Sequence, residues 1–186
     1  MADALNLDAS QLTLVGYFPK TTAIPEGYEL PAHVKEICTV SGCINAPEGW
    51  IDHWLHNELA FYDSPAKAKR VVATTTSKLP WSLFAYRMLP TRFDKDGAKP
   101  ISLPTLDVEP LHGSFVPIGF DAVSKSVSFC FECSPLSCNY LAQKVPVNEF
   151  CLVATFEEAV ALAKRCASEE PEPGPYYLFE VLRAIG

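Results

Sequence analysis

No stretch of this chain approaches the roughly 20 apolar residues that a membrane-spanning helix needs, so no span is expected. Basic residues are scarce: 15 Lys and Arg stand against 22 Asp and Glu, a net charge of -7. A general grip on phosphate backbone or anionic lipid needs a basic face, which argues against nucleic acid and membrane as partners. Glycine is scarce too, 9 against 16 prolines. Neither glycine-rich cradle for nucleotide phosphates, G-x-x-x-x-G-K-[ST] or G-x-G-x-x-G, occurs. Met1 to Asp8 lacks the basic region that opens a signal peptide, so the expectation is a cytoplasmic protein.

Apolar residues make up 48% of the chain and charged residues 20%, the profile of an ordered globular protein. Seven cysteines in a cytoplasmic protein read as thiols or metal ligands before disulfides. The many prolines predict fixed turns and irregular connections.

The most informative feature present is an ordered set of matching markers. Cys38–Cys43 and Cys133–Cys138 are both C-x4-C with a serine inside, and an asparagine follows each, Asn45 or Asn139. Asn57-Glu58 and Asn148-Glu149 come next, and a helix-start hydroxyl, Ser64 or Thr155, follows each. Leu83-Phe84 matches Leu178-Phe179, with Arg87 and Arg183 beyond them, and Leu14–Tyr17 answers Pro117–Phe120. This order predicts an internal duplication. Residues 1–93 form the first half, 94–114 the connection and 115–186 the second half. The expected fold is α+β, with duplicated strand–helix–strand halves related by a pseudo-twofold. Halves this small bury too little apolar surface alone, so they should share one core. Gly16 should correspond to Gly119, Cys43 to Cys138 and Ser64 to Thr155.

Local signals place the elements. Leu12–Phe18, Val34–Val40, Leu59–Tyr62, Trp81–Leu89, Phe115–Phe120, Val127–Phe131, Phe150–Ala154 and Tyr176–Ile185 read as strands, with Pro90 ending the fourth. Trp50–His56 reads as one or two helical turns. Ser64-Pro65 opens a helix to about Ala73, with serine as N-cap and proline at the first position. Pro135–Gln143 reads as a short helix. Thr155-Phe156-Glu157-Glu158 is a capping box opening a helix to about Ala167.

The candidate chemistry is mostly cysteine chemistry. If the two C-x4-C loops meet, Cys38, Cys43, Cys133 and Cys138 form a four-thiolate zinc site. Cys130, Cys133, Cys138 and Cys151 give C-x2-C-x4-C-x12-C, but the strand-like alternation around Cys130 favours buried thiols there. Cys38, Cys43, His53 and His56 superficially resemble a zinc-finger spacing, and a local aromatic turn around Trp50 and Trp54 is the plainer reading. Cys138 with His56 is the candidate nucleophile–base pair, Cys138 being placed at a helix start. Ser64-Pro65-Ala66-Lys67 matches S-x-x-K, but the serine is already explained as a cap. Cys43, Asn45, Trp50, His53, Trp54 and Asn139 are the candidate ligand-binding residues. No cofactor is expected, with zinc the one exception the thiols suggest.

The sequence therefore predicts a binding or protein-interaction protein with its recognition surface where the halves meet. Its partner would be a protein, a small ligand or a second copy of the chain. The alternative is a cysteine- or zinc-dependent enzyme built on the same loops.

Overall fold

Two long apolar segments that lie far apart in sequence form the middle of one antiparallel sheet. The computed structural model describes residues 5–50, 55–76, 79–113, 115–125 and 131–185. Its strands are β1 (Thr13–Lys20), β2 (Ser82–Asp94), β3 (Gly97–Pro100), β4 (Phe115–Ser124) and β5 (Tyr176–Ala184), and its helices are α1 (Pro65–Thr74), α2 (Pro135–Cys138) and α3 (Phe156–Glu169). The sheet order is β1-β2-β5-β4, with β3 paired to β2 and every pairing antiparallel. The fold is α+β. No helix among the described residues is long and apolar enough to cross a membrane.

Aromatic and branched side chains favour the pleated surface of the central strands. Phe84, Tyr86 and Phe179 are fully buried there. Leu178 and Phe179 belong to different hydrophobic clusters, as the alternation of a strand requires. One cluster takes Ala68 and Val71 of α1, and the other takes Ala159, Leu162, Ala163 and Cys166 of α3.

Both edge strands carry the same irregularity. The β1–β2 register shifts between Leu14 and Gly16, and the β4–β5 register between Pro117 and Gly119. Gly16 and Gly119 have φ of 144° and 143°, a backbone that side-chain-bearing residues rarely adopt. A Cβ on Gly16 would meet Phe61 Cβ at 2.7 Å and Tyr62 O at 2.8 Å, and on Gly119 it would meet Leu152 Cβ and Val153 O, each at 2.8 Å.

An asparagine-centred loop approaches each glycine. Asn57 Oδ1 accepts from the N–H groups of Leu59 and Phe61, while its Nδ2 donates to Val15 O. Asn148 Oδ1 accepts from Phe150 and Leu152, while its Nδ2 donates to Ile118 O. Tyr17 and Tyr62 exchange backbone hydrogen bonds, as do Phe120 and Val153. Leu59–Tyr62 and Phe150–Ala154, expected as strands, are these loops. Their asparagines satisfy backbone groups that a ladder would otherwise use.

Helix starts follow both loops. Ser64 Oγ accepts from Lys67 N ahead of Pro65, so the S-x-x-K serine is an N-cap and Lys67 pairs with Asp63. Thr155 and Glu158 form a reciprocal capping box ahead of α3.

Other elements differ from expectation. Val34–Val40 is irregular rather than a strand. Its backbone is satisfied across the molecule, with Lys35 N and Glu36 N donating to Glu149 O, Ile37 N to Thr22 O and Cys38 N to Phe150 O. Strand β2 does not stop at Pro90. Its pairing with β5 breaks register between Met88 and Arg92, an irregularity that accommodates a residue without an N–H. The connecting segment 94–114 begins with a hairpin in which Asp94 pairs with Gly97. Trp50–His56 and Val127–Phe131 fall largely outside the described residues.

Candidate metal centre

Two segments nearly 100 residues apart are stapled together by buried polar groups. Residues 39–43 follow β1 through a loop, and residues 131–138 follow β4. Asp121, in the middle of β4, is fully buried. Its Oδ2 accepts from Val40 N at 2.8 Å, and its Oδ1 accepts from Ser134 Oγ at 2.7 Å. One carboxylate thus holds both segments. Lys20, at the end of β1, is also fully buried, and its Nζ donates to Thr39 O at 2.6 Å and Ser41 O at 2.7 Å. Thr39 Oγ1 and Ser137 Oγ share a hydrogen bond of 2.8 Å, Ser41 Oγ donates to Glu132 O, and Gly42 N donates to Phe131 O.

Buried charges persist only when compensated. Burial pulls the Lys20 ammonium down to about 8, with Cys38 and Asp121 opposing that shift. Burial pushes the Asp121 carboxyl up to about 6 against the hydrogen bonds from Ser134 and Val40. Both groups are therefore charged near pH 7, and each offsets part of the other's desolvation.

This scaffold brings three thiols together. The sulfurs of Cys43, Cys133 and Cys138 all lie within 4.8 Å of one another. Cys43 Sγ is 3.2 Å from Cys138 Sγ and 3.6 Å from Cys133 Sγ. Ser41 Oγ is 2.8 Å from Cys43 Sγ and 3.5 Å from Cys138 Sγ. Cys43 is exposed, and Cys133 and Cys138 are half-buried. The hydrogen bond shared with Cys138 holds the Cys43 thiol below its ordinary value and Cys138 above it. Burial pushes Cys133 up to about 11. Tyr28 borders the group. Its phenol is raised first by burial and then by the charges of Cys138 and Cys43, and its ring lies 5.9 Å from that of Tyr140.

The remaining expected site residues are placed as follows. Cys38 is not in the thiol group. It is fully buried in the apolar core, and burial pushes its thiol up to about 12. The first cysteine of that C-x4-C faces inward while Cys43 reaches the surface. Cys151 and Cys166 are also fully buried, with thiols pushed up to about 12 by burial. Cys138 ends α2 rather than starting a helix, because Ser134-Pro135 takes the cap and first position. Its thiol bonds Cys43, Ser41 and Ser137, and it interacts with Cys133 as well. His56 lies instead beside Trp50, ring to ring at 6.3 Å, and Asn57 O is 3.3 Å from its Nδ1. The Cys138–His56 pair is thus not assembled by these contacts. Asn45 Nδ2 donates to Ala23 O and Asn139 Nδ2 to Pro171 O, so both tie loops down. Trp50 packs edge-on against Phe18 at 4.9 Å. His53, Trp54 and Cys130 lie outside the described residues.

Sequence reasoning passed over Lys20 and Asp121. Asp121 stood in plain view as the one charge inside the apolar run Phe115–Val123. Lys20 lies beyond the expected strand Leu12–Phe18, after Pro19.

A tetrahedral zinc ion with bonds of about 2.3 Å spaces its sulfurs by about 3.8 Å. Three sulfurs at the observed separations match that within small side-chain adjustments, and a fourth coordination position is left for another group. Soft thiolates select zinc or other thiophilic ions over magnesium or calcium. Comparison with family models, curated proteins and solved structures finds no match to this chain.

Proposed function

We propose that this is a metal-binding protein that holds a zinc ion through Cys43, Cys133 and Cys138 at the junction of two duplicated halves. The observation that carries the reading is the convergence of three thiols from two segments remote in sequence. Chance burial of cysteine places thiols singly in a core, as with Cys38 and Cys166. A mutual approach at a half-open surface is the arrangement a thiophilic ion requires. The metal would clamp residues 39–43 to residues 131–138. Its fourth position would take water, a small ligand or a side chain from a protein partner.

The duplication reading is supported by the twin glycine irregularities, the twin asparagine loops and the capped helix after each. On that reading the halves are 1–93 and 115–186, and the metal ties one to the other within a cytoplasmic protein.

Cobalt titration tests the site. The full chain, stripped with chelator and kept reduced, should bind one equivalent of Co(II) with a thiolate-to-cobalt charge-transfer band, and zinc should displace it. Cys138→Ser should abolish the band, whereas Cys38→Ser should leave it intact. Equal binding by wild type and Cys138→Ser would overturn the assignment.

A further inference from the structure

Three thiols at these distances have a second chemistry when no metal holds them. Cys43 is the exposed member of the group, and its sulfur has Cys138 Sγ at 3.2 Å and Cys133 Sγ at 3.6 Å. Cys38, Cys151 and Cys166 are buried and removed from solvent reagents. A thiol that a reagent can reach, with a second thiol behind it, is the arrangement for disulfide exchange.

We infer that the metal-free site reacts with low-molecular-weight disulfides of the glutathione class, with Cys43 as the attacking sulfur and Cys138 as the resolving one. The inference rests on the metal-binding reading only for the claim that zinc protects the site. In the first step the Cys43 thiolate attacks one sulfur of the reagent. The reagent's S–S bond breaks, a Cys43 mixed disulfide forms, and one thiol leaves with the proton that Cys43 gave up. In the second step the Cys138 sulfur attacks the Cys43 sulfur. The mixed disulfide breaks, a Cys43–Cys138 bond forms, and the second thiol leaves with the Cys138 proton. Two protein thiols are oxidised and one reagent disulfide is reduced to two thiols.

Geometry selects the resolving cysteine. Cys138 Sγ is nearer to Cys43 than Cys133 Sγ is. Cys138 is the last residue of the one-turn α2, with a loop beyond it, so its sulfur can close to the bonding distance of about 2.0 Å. Both cysteines sit on held backbone, Cys133 O accepting from Ser124 N and Cys138 N donating to Ser134 O, so the shorter sulfur separation decides.

The test treats chelator-stripped full-length protein with glutathione disulfide and reads intact mass and peptide maps. Wild type should lose two hydrogens and yield one cross-linked peptide joining Cys43 to Cys138. Cys138→Ser should stop at a single glutathionyl adduct on Cys43, and Cys43→Ser should give neither product. Zinc at 100 times its dissociation constant should slow the reaction about 100-fold, because only the metal-free fraction reacts. A wild-type adduct on Cys43 that never resolves, a Cys133–Cys138 product, or modification spread to Cys38 and Cys166 would overturn the inference. If a Ser variant does not fold, the wild-type peptide map still decides. Zinc binding without the Cys43–Cys138 link defeats this inference alone. The link without zinc binding defeats only the metal reading.

Discussion

The loops around Asn57 and Asn148 make the same hydrogen bonds to the strands beside them, yet the strands diverge two residues past the glycine. After Gly16 that residue is Phe18, and after Gly119 it is Asp121. Phe18 stacks on Tyr62 at 5.8 Å and meets Trp50 edge-on, so its side of the sheet is closed by aromatic packing. Asp121 binds Val40 N and Ser134 Oγ, so its side is closed by a buried carboxylate that ties two segments under the thiols. The features the two edges share position the strands, and the residue at which they differ ties down the thiol-bearing segments.

Substitutions at the two positions should therefore cost similar stability with different consequences. Asp121→Ala removes the acceptor of two buried hydrogen bonds and leaves Lys20 without its counter-charge. Loss of one partner from a buried charged network costs about 3–5 kcal/mol. Phe18→Ala should cost about 3–4 kcal/mol through the cavity it leaves. Urea unfolding measures both. Only Asp121→Ala should also lose the cobalt charge-transfer band, because only it frees the thiol-bearing segments. If both variants lose the band in proportion to stability, the distinction between the two positions is wrong.

The glycines make the next test. Gly16→Ala and Gly119→Ala each force a Cβ into backbone and side-chain atoms at 2.7–2.8 Å, at a φ that alanine rarely adopts. Strain and clash together should cost about 3 kcal/mol in each variant. Equal losses support equivalent roles for the two irregularities. A loss at one position and none at the other would separate them.

Capped helices and central strands were legible because their signals are local. Ser64-Pro65 and Thr155–Glu158 carry their own caps, and the β5 run is aromatic and aliphatic apart from Glu180 and Arg183. The edges of the fold were less legible. Leu59–Tyr62 and Phe150–Ala154 look like strands by composition, but an asparagine side chain outcompetes a ladder for their backbone groups. Val34–Val40 alternates like a strand, yet Glu149, Thr22 and Phe150 take up its N–H groups one at a time. The thiol group was legible in three of its four expected members. Cys38 dropped out because spacing alone does not say which cysteine of a C-x4-C faces inward. Lys20 and Asp121 were missed because their partners lie 13 to 81 residues away.

The buried pair also sets a pH dependence. The Asp121 carboxyl rises from 3.8 to about 6 on folding, so the folded state binds the extra proton between those values. The contribution of this group is fully present below 3.8 and is lost as pH rises through about 6. Lys20 falls from 10.5 to about 8, so its contribution is present above 10.5 and lost as pH falls through about 8. The pair is least favourable between these limits. Comparing wild type with Asp121→Asn from pH 4 to 6 isolates the acid limb, and the difference in unfolding free energy should fall by about 2 kcal/mol across it. A constant difference would mean that the carboxyl does not change protonation on folding.

The smallest effect separates the two helix starts. Thr155 Oγ1 accepts from Glu158 N, and Glu158 Oε2 in return accepts from Thr155 N and Ala154 N. Ser64 accepts from Lys67 N and is followed by proline, whose missing N–H leaves one fewer group to satisfy. Thr155→Ala and Ser64→Ala should each cost about 1 kcal/mol in urea unfolding. Glu158→Ala should cost a further fraction of that at α3, whereas Lys67→Ala at α1 should cost nothing through the cap, since Ser64 bonds only its backbone N–H. Lys67 does form an ion pair with Asp63, but both side chains are partly exposed and such pairs contribute about 0–1 kcal/mol. An effect of Lys67→Ala that persists when Asp63 is also alanine, and equals that of Glu158→Ala, would mean that α1 also depends on its third residue's side chain, and the contrast between a one-way cap and a reciprocal box would be lost.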